Sequence, residues 1–132
     1  LELKMEHQGQ HATFLDLDIS IKDGIFVYKL FDKRDAFPFF IVRMPYLCSN
    51  IPTFIFYGTF KSEVLRIAKN TLQYGDFKPR IVSLFIRMVN QGGNCNKLIR
   101  CIADVAHKHF IFFQSFSMFS GDIAKDIAEE VR

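Results

Sequence analysis

Asp16 and Asp18 stand two residues apart in Leu15-Asp16-Leu17-Asp18-Ile19-Ser20-Ile21, and a D-x-D on one strand face can hold a divalent cation. Such a site needs several convergent oxygen ligands, and a plainer reading makes Asp18 the cross-strand partner of Lys29. Cys95, Cys101, His107 and His109 form a loose zinc-like quartet. Steps of six residues on a helix turn by about 240°, so the two Cys and the first His point three ways, and the spacing fits no usual zinc pattern. Ordinary thiols are the expectation there. The chain has no G-x-G-x-x-G, Walker or G-x-S-x-G motif, and no nucleophile paired with a base. No catalytic residue, metal or cofactor is therefore expected, and the chain by itself is not expected to be an enzyme.

Charge is the stronger signal. Residues 59–109 hold nine Lys/Arg against three acids, a balance of +6, which leaves −3 for the remainder of a chain whose total is +3. A basic middle beside an acidic remainder hints at a polyanion partner. Lys61, Arg66, Lys69, Arg80, Arg87, Lys97 and Arg100 are the candidate phosphate contacts. Phe54, Phe56, Tyr57 and Phe60, set among them, could pack on sugars or bases or belong to the core. The competing account is a solvated surface that keeps a chain with sixteen Phe soluble.

The elements that must position these groups follow from periodicity. Residues 15–21 alternate apolar and polar, Asp23-Gly24 is a preferred two-residue hairpin turn, and 25–31 reads as the return strand. That turn sets Ile21 opposite Phe26, Ile19 opposite Tyr28, Leu17 opposite Leu30 and Asp18 opposite Lys29. Residues 1–5 suggest another strand, joined through the polar residues 7–11. Asp35-Ala36-Phe37-Pro38 suggests a turn, with 39–43 extended beyond it.

From Ser49 the period becomes helical. Ser49-Asn50 before Ile51-Pro52 resembles a cap, Gly58 punctuates, and Thr59 is expected to cap a helix to about Leu72 with Val64, Ile67, Ala68 and Leu72 inward. Tyr74-Gly75-Asp76 is the next break. Asp76 caps a helix with Pro79 in its first turn and Ile81, Leu84, Phe85, Met88 and Val89 as its stripe. Gly92-Gly93 ends it. Asn94 caps a third helix with Leu98, Ile102, Val105 and Ala106 inward, and residues 120–132 suggest a small amphipathic helix bearing Ile123, Ile127 and Val131. The fold class expected is α+β: an antiparallel hairpin or small sheet, then a compact helical, helix-turn-helix bundle. Three Cys are too few and too odd for a disulfide framework and point to an intracellular setting. The apolar run 110–119 is too short to span a membrane.

Phe14-Leu15-Asp16-Leu17-Asp18-Ile19, Tyr28-Lys29-Leu30-Phe31-Asp32-Lys33, Ser49-Asn50-Ile51-Pro52 and Leu65-Arg66-Ile67-Ala68 occur in that order. The series resembles the region after the catalytic palm motif in reverse transcriptases of Penelope-like and related retroelements. There an F-L-D strand and a hairpin precede a Ser-Asn/His-x-Pro segment, a helix with an Arg pair and a thumb-like helix-turn-helix bundle. Here Ile51 stands where His is common, and Lys69 stands in place of a second Arg.

The resemblance spans residues 1–109. It implies a fragment of an RNA-directed DNA polymerase that helps bind primer–template, an RNA–DNA duplex, without the catalytic aspartates, which lie upstream in that family. The start at Leu1, inside a strand pattern and without initiator Met or signal-peptide core, fits the expectation of a truncated chain whose palm and fingers are missing. Three segments result: 1–48, resembling the end of a palm; 49–109, basic and thumb-like; and 110–132, a Phe-rich tail outside the resemblance. The alternative is a small α+β module that docks a protein partner through exposed Phe and binds no nucleic acid.

Overall fold

At Asp23-Gly24 both residues take positive φ, 53° and 76°, as a tight two-residue hairpin demands. In the computed structural model, which describes residues 9–32 and 46–131, this turn joins β2 (Leu17–Lys22) to β3 (Ile25–Leu30). The register pairs Leu17 with Leu30, Asp18 with Lys29, Ile19 with Tyr28 and Ile21 with Phe26, as the alternation requires. A further strand, β1 (His11–Phe14), pairs antiparallel with the other edge of β2, giving the order β1-β2-β3. His11 thus starts a strand and does not belong to a connector. The strand expected at 1–5, the turn at 35–38 and the extended stretch at 39–43 fall on residues outside the described ones.

Leu15 and Asp16 turn the chain between β1 and β2, with Leu15 at φ 54°, so the alternation read from Leu15 becomes strand only at Leu17. Tertiary partners hold that turn. The Asp16 carbonyl accepts the Phe31 N–H at 2.8 Å, and its carboxylate lies 4.0 Å from Arg66 Nη1. The sheet's apolar face, from Leu17 to Leu30, is buried only at Leu30; at the hairpin end Phe26 is 68% exposed. Helix α1 (Thr53–Lys69) and α2 (Tyr74–Asn90) meet this sheet through Leu30 and through a hydrogen bond from Leu72 N–H to the Tyr28 carbonyl, 3.0 Å.

The break expected at Gly58-Thr59 is absent, and α1 starts behind Pro52. Gly in a helix interior costs about 1 kcal/mol, but Phe56 and Phe60 flank it and both are buried, at roughly 2–3 kcal/mol each. Thr59 caps nothing; its Oγ1 donates to the Ile55 carbonyl at 2.8 Å within the helix. In the same way Tyr74-Gly75-Asp76 is the first turn of α2 and not a break, with Gln73 at the N-cap and Pro79 in the second turn. Asp76 still favours that helix start through the helix dipole.

The third helix, α3 (Cys95–Lys108), opens as expected, the Asn94 side chain accepting the Lys97 N–H at 3.1 Å. Two single 3-10 turns, Phe110–Phe112 and Gln114–Phe116, lead to α4 (Ser120–Val131). Helix α3 packs on α1 along one flank and on α4 along the other, while α2 touches both α1 and α4. The result is an α+β fold, a three-stranded antiparallel sheet followed by four helices. No helix among the described residues is long and apolar enough to cross a membrane.

Three glycines test this layout. Gly58→Ala, whose added Cβ meets nothing within 4 Å, should stabilise by about 0.5–1 kcal/mol. Gly93→Ala would set a Cβ 2.9 Å from the Met88 carbonyl oxygen and 3.1 Å from Leu98 and Phe56, and should destabilise by about 1–3 kcal/mol. Gly24→Val, at positive φ, should lose about 1–2 kcal/mol. Urea midpoints at constant m measure all three; a loss at Gly58 would restore the helix break.

Candidate nucleic-acid interface

The seven candidate cations fall into two groups on different sides of α1. Arg66, Arg80 and Arg87 turn toward the junction of α1, α2 and the end of β3, around a gap of about 30 Å³ lined also by Asp32 and Glu63. Arg66 Nε and Nη2 donate to Glu63 at 3.2 and 3.1 Å, one helical turn back, and Nη1 faces Asp16. Arg80, Arg87 and Asp32 make contacts of their own. Arg66 is half-buried, and its fork is engaged by carboxylates, one of them supplied by the turn between β1 and β2.

The second group lies on α1 and α3, which run in the same direction. Lys97 Nζ sits 5.7 Å from the Tyr57 ring centre, Lys61 Nζ 3.5 Å from Asp104 Oδ2, and Lys69 Nζ 4.8 Å from the Phe112 ring centre. Between them the seam opens into a hollow of about 230 Å³ lined by Lys61, Ser62, Leu65, Asp104, Lys108 and His109. Because α3 buries Leu98, Cys101, Ile102, Val105 and Ala106, its opposite face goes to solvent and carries Lys97, Arg100, His107 and Lys108. The Lys61–Asp104 pair is largely solvated, so it holds little energy. Of the four aromatic residues weighed with these charges, Phe56 and Phe60 are core, Tyr57 is half-buried and Phe54 is exposed. No family model, curated protein or solved structure matches the chain.

Lys108 adds to the basic balance of residues 59–109 and stands outside the seven candidate contacts. It stands four residues after Asp104 and eleven after Lys97, three turns along one stripe, and that spacing was readable. The metal geometries do not assemble. Asp16 lies in a turn, Asp18 contacts the His11 imidazole across the sheet, Cys95 is exposed and Cys101 buried. Among the described residues no three His, Cys, Asp or Glu side chains come together as metal ligands.

A polar cluster elsewhere ties α4 to α2. Tyr74 OH donates to Asp126 Oδ2 at 2.5 Å, and Lys78 Nζ reaches Asp126 at 3.1 Å and Glu130 at 3.6 Å. The Tyr74 hydrogen bond, then that of Lys78, holds the Asp126 carboxyl below its usual range. Burial, then Asp126, pushes the Tyr74 phenol well above its own. Nothing local in the sequence joins residues 52 apart.

A depressed carboxyl stabilises the fold above its unfolded pKa of about 4, and loses that contribution as pH falls through the lower folded value. A raised phenol contributes fully below about pH 10 and loses its share as pH climbs through the raised value. Tyr74→Phe should therefore cost about 1 kcal/mol at neutral pH, shrink the acid loss and reduce the alkaline loss, of which a share remains with Lys78, raised by its hydrogen bond to Asp126, and with the buried Cys101 thiol. Tm measured from pH 2 to 11 on both proteins checks this.

Proposed function

We propose that the chain binds nucleic acid through the α1/α3 seam and the outer face of α3, as the helical, thumb-like part of a reverse-transcriptase-like polymerase. In this reading it grips primer–template and performs no chemistry by itself. The observation that carries the reading is the run of solvated cations Lys69, Lys97, Arg100 and Lys108 on two parallel helices, interleaved with aromatic rings. A phosphate backbone recognised this way is followed without being read, so sequence preference should be slight. The order of the sequence motifs adds the polymerase parentage.

With about four phosphates neutralised, affinity for an RNA–DNA hybrid should fall with salt at a log–log slope of about −3 to −4. Lys97→Ala with Arg100→Ala should flatten that slope by about 2, whereas Arg66→Ala should lower Tm and leave the slope alone. Fluorescence anisotropy across a salt series measures both. No binding at low salt, or binding that ignores salt, would end the nucleic-acid reading. The purified chain should also extend no primer with Mg²⁺ or Mn²⁺, and incorporation would contradict its non-catalytic role.

A second reading has its own observation. Phe14, Ile21 and Phe26 are exposed on one face of the sheet, an apolar surface suited to a protein partner. Docking there would be insensitive to salt.

A further inference from the structure

The outer face of α3 leads into an open hollow of about 310 Å³ between the end of α3, the two 3-10 turns and the start of α4. His107, Phe110, Gln114, Met118 and Phe119 line it above the buried ring of Phe113. Phe110 is 60% exposed and Phe119 83%, although the core nearby encloses Phe77, Phe113 and Phe116. Arg100 and His107 are seven residues apart, about two turns, and so share one line of α3. His107 belongs both to that line and to the wall of the hollow. A strand whose phosphates follow Lys97 and Arg100 would arrive at an aromatic-walled recess.

From this continuity we infer that the hollow takes one unpaired base of a single-stranded nucleic acid, stacked on Phe110 and Phe119. The inference rests on the nucleic-acid reading above and names its substrate class. A base presents an apolar π-face to rings, and every base has one, so stacking tolerates sequence. Its polar edge would meet the Gln114 amide, the His107 imidazole and the Ser120 hydroxyl, which also line the hollow. The volume is at the small end of ligand cavities, enough for one ring system and not for a helix. A blunt duplex keeps its π-faces stacked, so it could use the cations but not the recess.

The test compares a dT 12-mer carrying one 2-aminopurine with a blunt 12-base-pair duplex, on the full chain across a salt series. The single strand should bind about 10-fold tighter than the duplex, with quenched 2-aminopurine emission. Phe110→Ala with Phe119→Ala should cost the single strand about 10-fold and restore emission, leaving duplex affinity and salt slope unchanged. Both side chains are exposed, and a Leu double variant, which keeps apolar bulk but no ring, should lose the same increment. If either double variant binds the single strand as tightly as the native chain does, the inference falls while the nucleic-acid reading stands. If neither oligonucleotide binds, both fall. A dimer that Phe119→Ala dissociates, or salt-insensitive capture of a Phe-rich peptide that quenches no base, would assign the hollow to a protein and overturn the inference.

Discussion

Phe77, in the first turn of α2, has no exposed surface, and its ring is enclosed by Phe116 at 4.7 Å and Phe113 at 5.6 Å. Phe113 and Phe116 are three residues apart, and in 3-10 geometry residues at that spacing lie one above the other. The two short turns therefore aim two rings at one target. Once they do, α4 has little choice of position: Ile123 and Ile127 close over α2 and α3, and Tyr74 and Lys78 fasten Asp126. Helix α3 is then held between α1 and α4, which fixes its rotation and leaves one face, with its cations, to solvent. The position of the candidate interface is thus a consequence of aromatic packing on the far side of the helix that bears it.

The charge imbalance read from the sequence divides in the same structural terms. Part of the +6 of residues 59–109 is answered within the molecule, because the N-terminal part contributes Asp16 and Asp32 to the junction that holds Arg66, Arg80 and Arg87. Arginine suits that junction, since a planar fork can bridge carboxylates on different elements, as Arg66 does between Glu63 and Asp16. The lysines do otherwise. Lys69 and Lys97 lie over single rings with their ammonium groups toward water, where a point charge remains available to a partner.

What could be read in advance was local. The Asp23-Gly24 hairpin, its register, the Asn94 cap and the buried stripe of α3 each depend on residues within a few positions, and each stands as the pattern indicated. The local pattern misleads where tertiary burial outweighs it. Gly58 has the propensity of a break, yet Phe56 and Phe60 carry the helix through it. Leu15 and Asp16 continue an alternating pattern, yet Phe31 and Arg66 hold them in a turn. The candidate site was half legible for the same reason. Helical spacing indicates that Lys97 and Arg100 are solvated, but it cannot indicate that Arg66 has a partner fifty residues upstream.

Asp104 is the one acid on the exposed face of α3, and it stands between Arg100 and Lys108, where a phosphate chain would be repelled. Lys61, reaching from α1 to within 3.5 Å of it, offsets that charge. The distance from Lys97 to Lys108 is about 16 Å at 1.5 Å rise per residue, equal to the axial rise of roughly five base pairs of a duplex. Without Lys61 the cations would form two short clusters separated by a negative point; with it they form one track. The parallel packing of α1 on α3 is what brings Lys61 to that position, so the continuity of the track is a property of the fold and not of either helix alone.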